Sequence, residues 1–403
     1  MQFFNQSEFI ENHITNRPQS LFVNDIQNNR EELIEKINGK SVLVIGGAGT
    51  IGSSFIKAIL PFKPEKLTVV DYSENGLTEL TRDLRSSYNE FIPREYITYP
   101  FDFGGEIFKK LYLGNKYDIV ACFAAHKHVR SEKDHLAIEA MIKNNVFNTK
   151  ALLDLALINK PEHFFSVSTD KAANPVNVMG ASKKLMEKVL MSYADDLKIC
   201  TARFANVAFS NGSLLYGFNY RLMKKQPLSS PSDVKRYFVS PIESGQLCML
   251  ACLLGESKNI FFPKLDKSQM MTFSSIAEKY LLEMGLEPDY CSTEEEARVK
   301  ALAWNSDNKK YPVYFFKTDT SGEKSFEEFF TKSDTISMDK YQALGVINNQ
   351  EIPDKIEINL LLSEFHALFE DTAIQKSDVV GLLNKYLPDF SHIETGKSLD
   401  QKM

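Results

Sequence analysis

The chain has 403 residues, 43% of them hydrophobic and 25% charged, and its 47 basic and 53 acidic side chains leave a formal net charge of −6. That length exceeds one ordinary domain, and that composition is ordinary for a globular protein in water. An acidic balance with no basic block excludes general electrostatic capture of nucleic acid or anionic lipid, so an anionic ligand must be held by a few placed cations or helix ends.

Residues 1–8, Met-Gln-Phe-Phe-Asn-Gln-Ser-Glu, have neither the cationic start nor the long apolar core of a secretory signal. No apolar run approaches the ~18 residues of a membrane span, and the expected location is cytoplasmic. Residues 1–39 read as an N-terminal helical segment whose amphipathic end, 30–37, leads into the first strand. Four apolar residues over 42–45 then predict a short buried strand, ending in Gly46-Gly47-Ala48-Gly49-Thr50-Ile51-Gly52. A helix over 51–60 follows at once, and Asp71 stands 19 residues after Gly52 at the end of the next apolar strand, 67–70.

That spacing is the fingerprint of a dinucleotide-binding β-α-β unit. Gly46 permits the tight turn, Gly49 lets backbone approach a pyrophosphate, and Gly52 lets the helix pack on the sheet. The helix start at Thr50 and Ile51 offers N–H groups and a positive dipole end to phosphates. Asp71 accepts hydrogen bonds from ribose hydroxyls and repels a 2′-phosphate, which selects NAD over NADP.

Strand signals continue at 96–101, 119–124, 164–168 and 199–204, with helical stretches at 74–88, 136–158 and 180–195 between them. The alternation predicts an α/β fold, a doubly wound parallel sheet with helices on both faces. Past 205 the helical stretches 214–225, 240–254 and 273–284 are separated by Pro- and Ser-bearing loops, 286–335 reads as loop-rich and charged, and helical patterns recur at 356–370 and 377–386. This half is expected to form a smaller, mostly helical cap over the carboxyl edge of the sheet, where ligands of such folds sit. The expected units are a helical segment 1–39, a nucleotide-binding domain 40–285 with cap segments interleaved at about 206–235, and a cap insertion with C-terminal helices at 286–403.

Five cysteines, Cys122, Cys200, Cys248, Cys252 and Cys291, lack zinc spacing, and seven histidines form no ligand cluster. The thiols read as core groups, and no metal is expected. Chemistry concentrates instead where the fifth strand ends, in Ser168-Thr169-Asp170-Lys171. Pro175 turns the chain, and a helix begins near Met179 with Lys183 four residues on, on the same face. An adjacent acid and amine delivered with a hydroxyl to a cofactor cleft supply an acid, a base and an anchor. On residue types alone, a solvated polar loop remains the other reading.

The glycine pattern, Ala124-Ala125-His126-Lys127-His128-Val129, the block from Ser168 to Lys183 and Arg203-Phe-Ala-Asn206-Val together resemble the extended short-chain dehydrogenase/reductases. Within that Rossmann superfamily they are similar to the polysaccharide-biosynthesis nucleotide-sugar 4,6-dehydratases acting on UDP-N-acetylglucosamine. The similarity is dense over 41–245, and the closing stretch 393–403 looks like the tail of soluble members. Most of the superfamily has Tyr-x-x-x-Lys; here Met179 stands at the tyrosine position, and a thioether accepts no proton.

The resemblance implies an NAD cofactor recycled within each turnover and a homo-oligomer built through helices of the nucleotide-binding domain. It assigns Lys171 as the base at sugar C5, Asp170 as the acid for the C6 hydroxyl, Thr169 as the contact near O4, and Lys183 as the anchor of the nicotinamide ribose. Asp170 must be protonated to act as an acid, which burial would favour. Ser73, Asp102, Ala124 and Ala125 are expected on the cofactor, and Lys127, His128, Asn206 and Arg236 on the substrate. Arg236 is placed there because a planar fork suits diphosphate. Met179 in the tyrosine position points to retention at C5. A nucleotide-sugar 4-epimerase and a non-catalytic NAD-binding protein are the rival readings.

Overall fold

The computed structural model describes residues 4–87, 91–348 and 350–397. The last residue of the 74–88 helical stretch and residues 398–403, the end of the tail that carried part of the resemblance, lie outside the described residues.

The predicted strands form β1 (Ser41–Ile45), β2 (Lys66–Asp71), β3 (Glu95–Pro100), β4 (Ile119–Cys122), β5 (His163–Val167) and β6 (Ile199–Ala202). They pair in parallel in the order β6-β5-β4-β1-β2-β3. The order reverses at β1, which has β4 on one side and β2 on the other. Helices must therefore leave β1 and β4 toward opposite faces, and a crevice opens at their carboxyl ends. The strands of this centre are buried on both faces and mostly apolar, as a sheet covered on both sides requires.

The sheet is larger than the sequence predicts. Ile260–Pro263 adds to β6 in parallel, and Leu344–Asn348 and Thr335–Ser337 extend that edge antiparallel, giving nine strands. The 286–335 stretch also departs from the loop-rich expectation. Lys310–Phe316 runs between Leu228–Pro231 and Glu287–Tyr290 in a three-stranded parallel sheet, with a helix Glu294–Ala303 beside it. Pro312 lies within the central strand of the three, a residue that argues against such a strand when read locally. Side chains from distant segments decide it: Tyr311 and Val313 are buried with Phe9, Ile14, Phe218, Ile276 and Tyr280.

Two larger buried clusters lie on the faces of the main sheet. One packs the Thr50–Ile59 and Pro241–Leu254 helices, and the other packs Val178–Met191 with the C-terminal helices Lys355–Glu370 and Lys376–Tyr386. All five cysteines are buried and unpaired. Burial pushes the Cys122 and Cys200 thiols up to about 11 and about 12. Among the described residues no helix is long and apolar enough to cross a membrane.

Candidate active site

The β1 turn is built for close approach. Gly46 has φ +76°, and a Cβ there would stand 2.5 Å from the Ala124 nitrogen. A Cβ on Gly52 would meet the Gly46 carbonyl oxygen at 2.3 Å, so the helix start and the turn interlock. The Thr50–Ile59 helix has Gly49 as its N-cap and no side-chain acceptor there, which leaves its first N–H groups aimed into the crevice. Ile51 packs partly buried against the core, whereas Thr50 Oγ1 accepts the Asn211 N–H at 2.9 Å.

At the end of β2 the Asp71 carboxylate is fixed by two backbone donors, Ala48 N–H at 3.0 Å and Ser73 N–H at 2.9 Å. The Ser73 hydroxyl caps the next helix by accepting Gly76 N–H at 3.1 Å. Asp102 is exposed just past β3, with one oxygen on Gly104 N–H. Ala124 and Ala125 follow β4, half-buried across from the glycine turn. An open helix start, a preset carboxylate on β2 and a turn that excludes side chains are together what a dinucleotide requires, and the residues present fit NAD.

Across the crevice, β5 delivers a tight turn, Asp170–Ala172. Asp170 is only 3% exposed. Its Oδ1 accepts from the Thr169 hydroxyl at 2.8 Å, the Lys171 N–H at 2.9 Å and the Lys171 ammonium at 3.2 Å. Burial works to lower Lys171, but the Asp170 and Glu327 carboxylates outweigh it and hold the amine above its ordinary value. The Val178–Met191 helix packs directly on this turn, close enough that a Cβ on Gly180 would sit 2.5 Å from the Lys171 carbonyl oxygen. Its start is held by Asn177, which accepts Gly180 N–H at 2.7 Å, and by Glu132, which accepts Val178 N–H at 2.5 Å.

Met179 and Lys183 are both buried on that helix. The Lys183 ammonium has the Met186 sulfur at 3.1 Å, and burial pushes it down to about 8. Glu187, one turn on, forms a bidentate pair with fully buried Arg203 at 2.8 and 2.7 Å. Burial alone would raise Glu187, but Arg203 pulls it down to about 2. Ser168 donates to the same carboxylate at 2.6 Å, so the pair braces the end of β5 from below.

The remaining expected residues divide. Lys127 donates to the Asn211 carbonyl at 3.1 Å, and Lys127 and His128 are exposed at the crevice. Asn206 begins the short strand Asn206–Val207, paired with Phe238–Val239. Arg236, expected to take a diphosphate, is 4% exposed and already engaged. Its fork donates to Glu323 at 2.9 Å and to the Lys324 and Lys235 carbonyls at 2.9 and 3.0 Å.

The sequence reading misses several residues that the fold brings here. Glu327 lies between the Lys171 ammonium at 3.9 Å and Arg236 at 3.7 Å. Glu132 caps the Met179 helix from the loop after β4. Asn145, in the π-helical stretch Lys143–Phe147, holds both the His126 N–H and carbonyl, at 2.9 and 3.0 Å, and reaches the Ser182 hydroxyl at 2.9 Å. The only local signal for these was their polarity in apolar or charged stretches; the π bulge that aims Asn145 has no sequence signature.

A family model described as polysaccharide biosynthesis protein matches residues 42–349. The uncharacterized membrane protein MJ1061 of Methanocaldococcus jannaschii is 32% identical over 303 residues, 72% of this chain and 85% of that protein. A UDP-N-acetylglucosamine 4,6-dehydratase (inverting) of Campylobacter jejuni is 28% identical over 246 residues, 58% of this chain and 69% of that enzyme. The chain spans about half the length of two further relatives, 48% each of EpsC of Bacillus subtilis and CapD of Staphylococcus aureus. Among solved structures, Pen from Bacillus thuringiensis superposes with a TM-score of 0.63 at 21% identity, covering 81% of this chain and 98% of that one, which shows a shared fold.

Proposed function

The chain belongs to the polysaccharide biosynthesis protein family, and from that premise we propose that it is an NAD-dependent UDP-N-acetylglucosamine 4,6-dehydratase. Its product would be a UDP-4-keto-6-deoxy-N-acetylhexosamine. The observation that carries this reading is the proton chain Thr169–Asp170–Lys171, centred on buried Asp170 beside a helix that offers Met179 where a simple alcohol dehydrogenase needs tyrosine.

Bound in the crevice, NAD supplies hydride removal at C4 and hydride return at C6. All proton movements fall to side chains. Thr169, lying on O4, passes the hydroxyl proton of the oxidation to the Asp170 oxygen it already bonds. Asp170 thereby becomes the neutral acid by proton delivery. Losing its negative charge also removes one of the two carboxylates that hold Lys171 as ammonium, which eases release of the amine. Lys171 as amine takes the C5 proton, Asp170 protonates the departing C6 hydroxyl, and Lys171 gives a proton back at C5. Lys183, whose ammonium meets the Met186 sulfur and forms no ion pair among the described residues, would hold the nicotinamide ribose hydroxyls.

The Campylobacter relative supports the reaction class, because its name states the same dehydration. That name also says inverting, whereas Met179 implies retention at C5, and the same product spectrum reads both. Assembly as a homo-oligomer is part of the proposal. The test is incubation of the purified full chain with UDP-N-acetylglucosamine in deuterated water, followed by mass and NMR analysis. The expected product has lost one water, carries a C6 methyl and has deuterium at C5. A product isobaric with the substrate would establish the epimerase reading instead, and no turnover with NAD bound would establish the non-catalytic one.

A further inference from the structure

We infer that Glu327 is a positioning residue that acts through Lys171, receiving the ammonium proton so that the amine can serve as base. This deepens the dehydratase reading and rests on it for the identity of the substrate.

The geometry is specific. Glu327 is buried, and its Oε1 lies 3.9 Å from the Lys171 ammonium, whose other carboxylate neighbour, Asp170, is at 3.2 Å. Lys171 is faced by Asp170 on its own turn, by Glu327 and Glu323 from the stretch before Phe329, and by Arg236 from the strand Lys235–Arg236. Glu327 is faced by Lys171, Asp170, Arg236 and Lys324. Long-range contacts from two buried arginines hold the stretch that carries it. Arg236 grips Glu323 and the Lys324 carbonyl, and Arg203 donates to the Phe329 carbonyl at 3.0 Å. Lys324 in turn donates to the Asn174 carbonyl, just past the catalytic turn. A surface acid would need no such framework.

Burial pushes Glu327 above its ordinary range, against the pull of Lys171, so this carboxylate is better prepared than a solvated one to take a proton. The balance closes. The O4 proton goes to Asp170, and the Lys171 proton goes to Glu327. The C5 proton then goes to Lys171, and the Asp170 proton leaves with the C6 hydroxyl as water. Finally Lys171 returns a proton to C5 and recovers the one held on Glu327, so all three groups end as they began. Without Glu327, the enclosed Lys171 ammonium would have to shed its proton to solvent before it could serve as base.

Glu327→Gln tests this on the full chain with its NAD. With UDP-N-acetylglucosamine, deuterium uptake at C5 should fall at least tenfold at pH 7 while absorbance at 340 nm still rises, and the loss should be rescued as pH increases. Glu327→Asp should recover part of the uptake at pH 7. A loss equal at every pH, or no loss, overturns the inference. A readout independent of any sugar is the rate of Lys171 acetylation by acetic anhydride at pH 8, followed by peptide mass mapping. Removing the facing charge should raise the neutral amine about tenfold, one pH unit; an unchanged rate overturns the inference. Should Glu327→Gln not fold, Glu327→Asp carries the same labelling test with a smaller rise, and an unchanged rate there is equally fatal. If wild type shows neither C5 exchange nor a 340 nm signal, the dehydratase reading has failed, and the labelling result alone decides the role of Glu327.

Discussion

Lys183→Met should make the protein more stable and less able to hold its cofactor. Lys183 is 4% exposed, and its ammonium has a thioether sulfur rather than a carboxylate at 3.1 Å. Burial lowers it from 10.5 to about 8. The sign follows from proton binding: between those values the unfolded chain binds the proton that the folded one has lost, so folding weakens as pH falls through this window. The deficit is complete below about 8. The gap, at about 1.4 kcal/mol per pH unit, is about 3 kcal/mol at neutral pH. Methionine keeps most of the volume and removes the charge. In urea unfolding of NAD-stripped protein at pH 7, the variant should gain up to about 3 kcal/mol, with the gain shrinking toward zero by pH 10.5. NAD retained after dialysis should drop at least tenfold. A variant less stable than wild type at pH 7, or a gain that does not shrink with rising pH, would refute the reasoning.

Glu132 offers the mirror case. Burial raises it from 4.5 to about 7, so the folded state holds a proton the unfolded one has lost, and wild type weakens as pH rises through that window. Glu132→Gln, which keeps an acceptor for Val178 N–H, should match wild type near pH 4.5 and exceed it by about 3 kcal/mol above pH 7 in urea unfolding; a difference flat in pH counts against the assignment. Gly46→Ala puts a Cβ 2.5 Å from the Ala124 nitrogen at φ +76°. It should lose bound NAD and lower the melting temperature by several degrees, about 1–2 kcal/mol from the left-handed backbone alone; retention of NAD with wild-type melting would show that the turn is not under steric constraint.

What was readable in the sequence was local. β1 and its glycine turn, Asp71 at the end of β2 and the Thr169–Lys171 turn each depend on a few consecutive residues, and the fold places them as their spacing implies. The added strands were not readable, because Ile260–Pro263, Lys310–Phe316 and Leu344–Asn348 become strands by pairing with partners far along the chain. The same physics hid Glu132 and Glu327. An acid in a charged stretch looks solvated until long-range contacts bury it, and its chemistry then comes from surroundings that the local sequence does not contain.

Arg236 shows what that difference means for mechanism. As a residue type it suits a diphosphate, and the sequence alone places it there. In the fold its guanidinium is enclosed, with Glu323 and two backbone carbonyls filling the fork. To take a phosphate it would have to abandon a partly buried carboxylate and two carbonyls, and the cost approaches, without reaching, the about 3–5 kcal/mol of breaking a fully buried pair. Diphosphate binding would have to exceed that cost before contributing any affinity. Holding Glu323 costs nothing further, and it sets the backbone that presents Glu327 to Lys171. The same guanidinium is therefore better used as a clamp on the acid-bearing stretch, and on the proposed function the phosphates would fall to other groups, the start of the Thr50–Ile59 helix for the cofactor and the exposed Lys127 and His128 for the substrate.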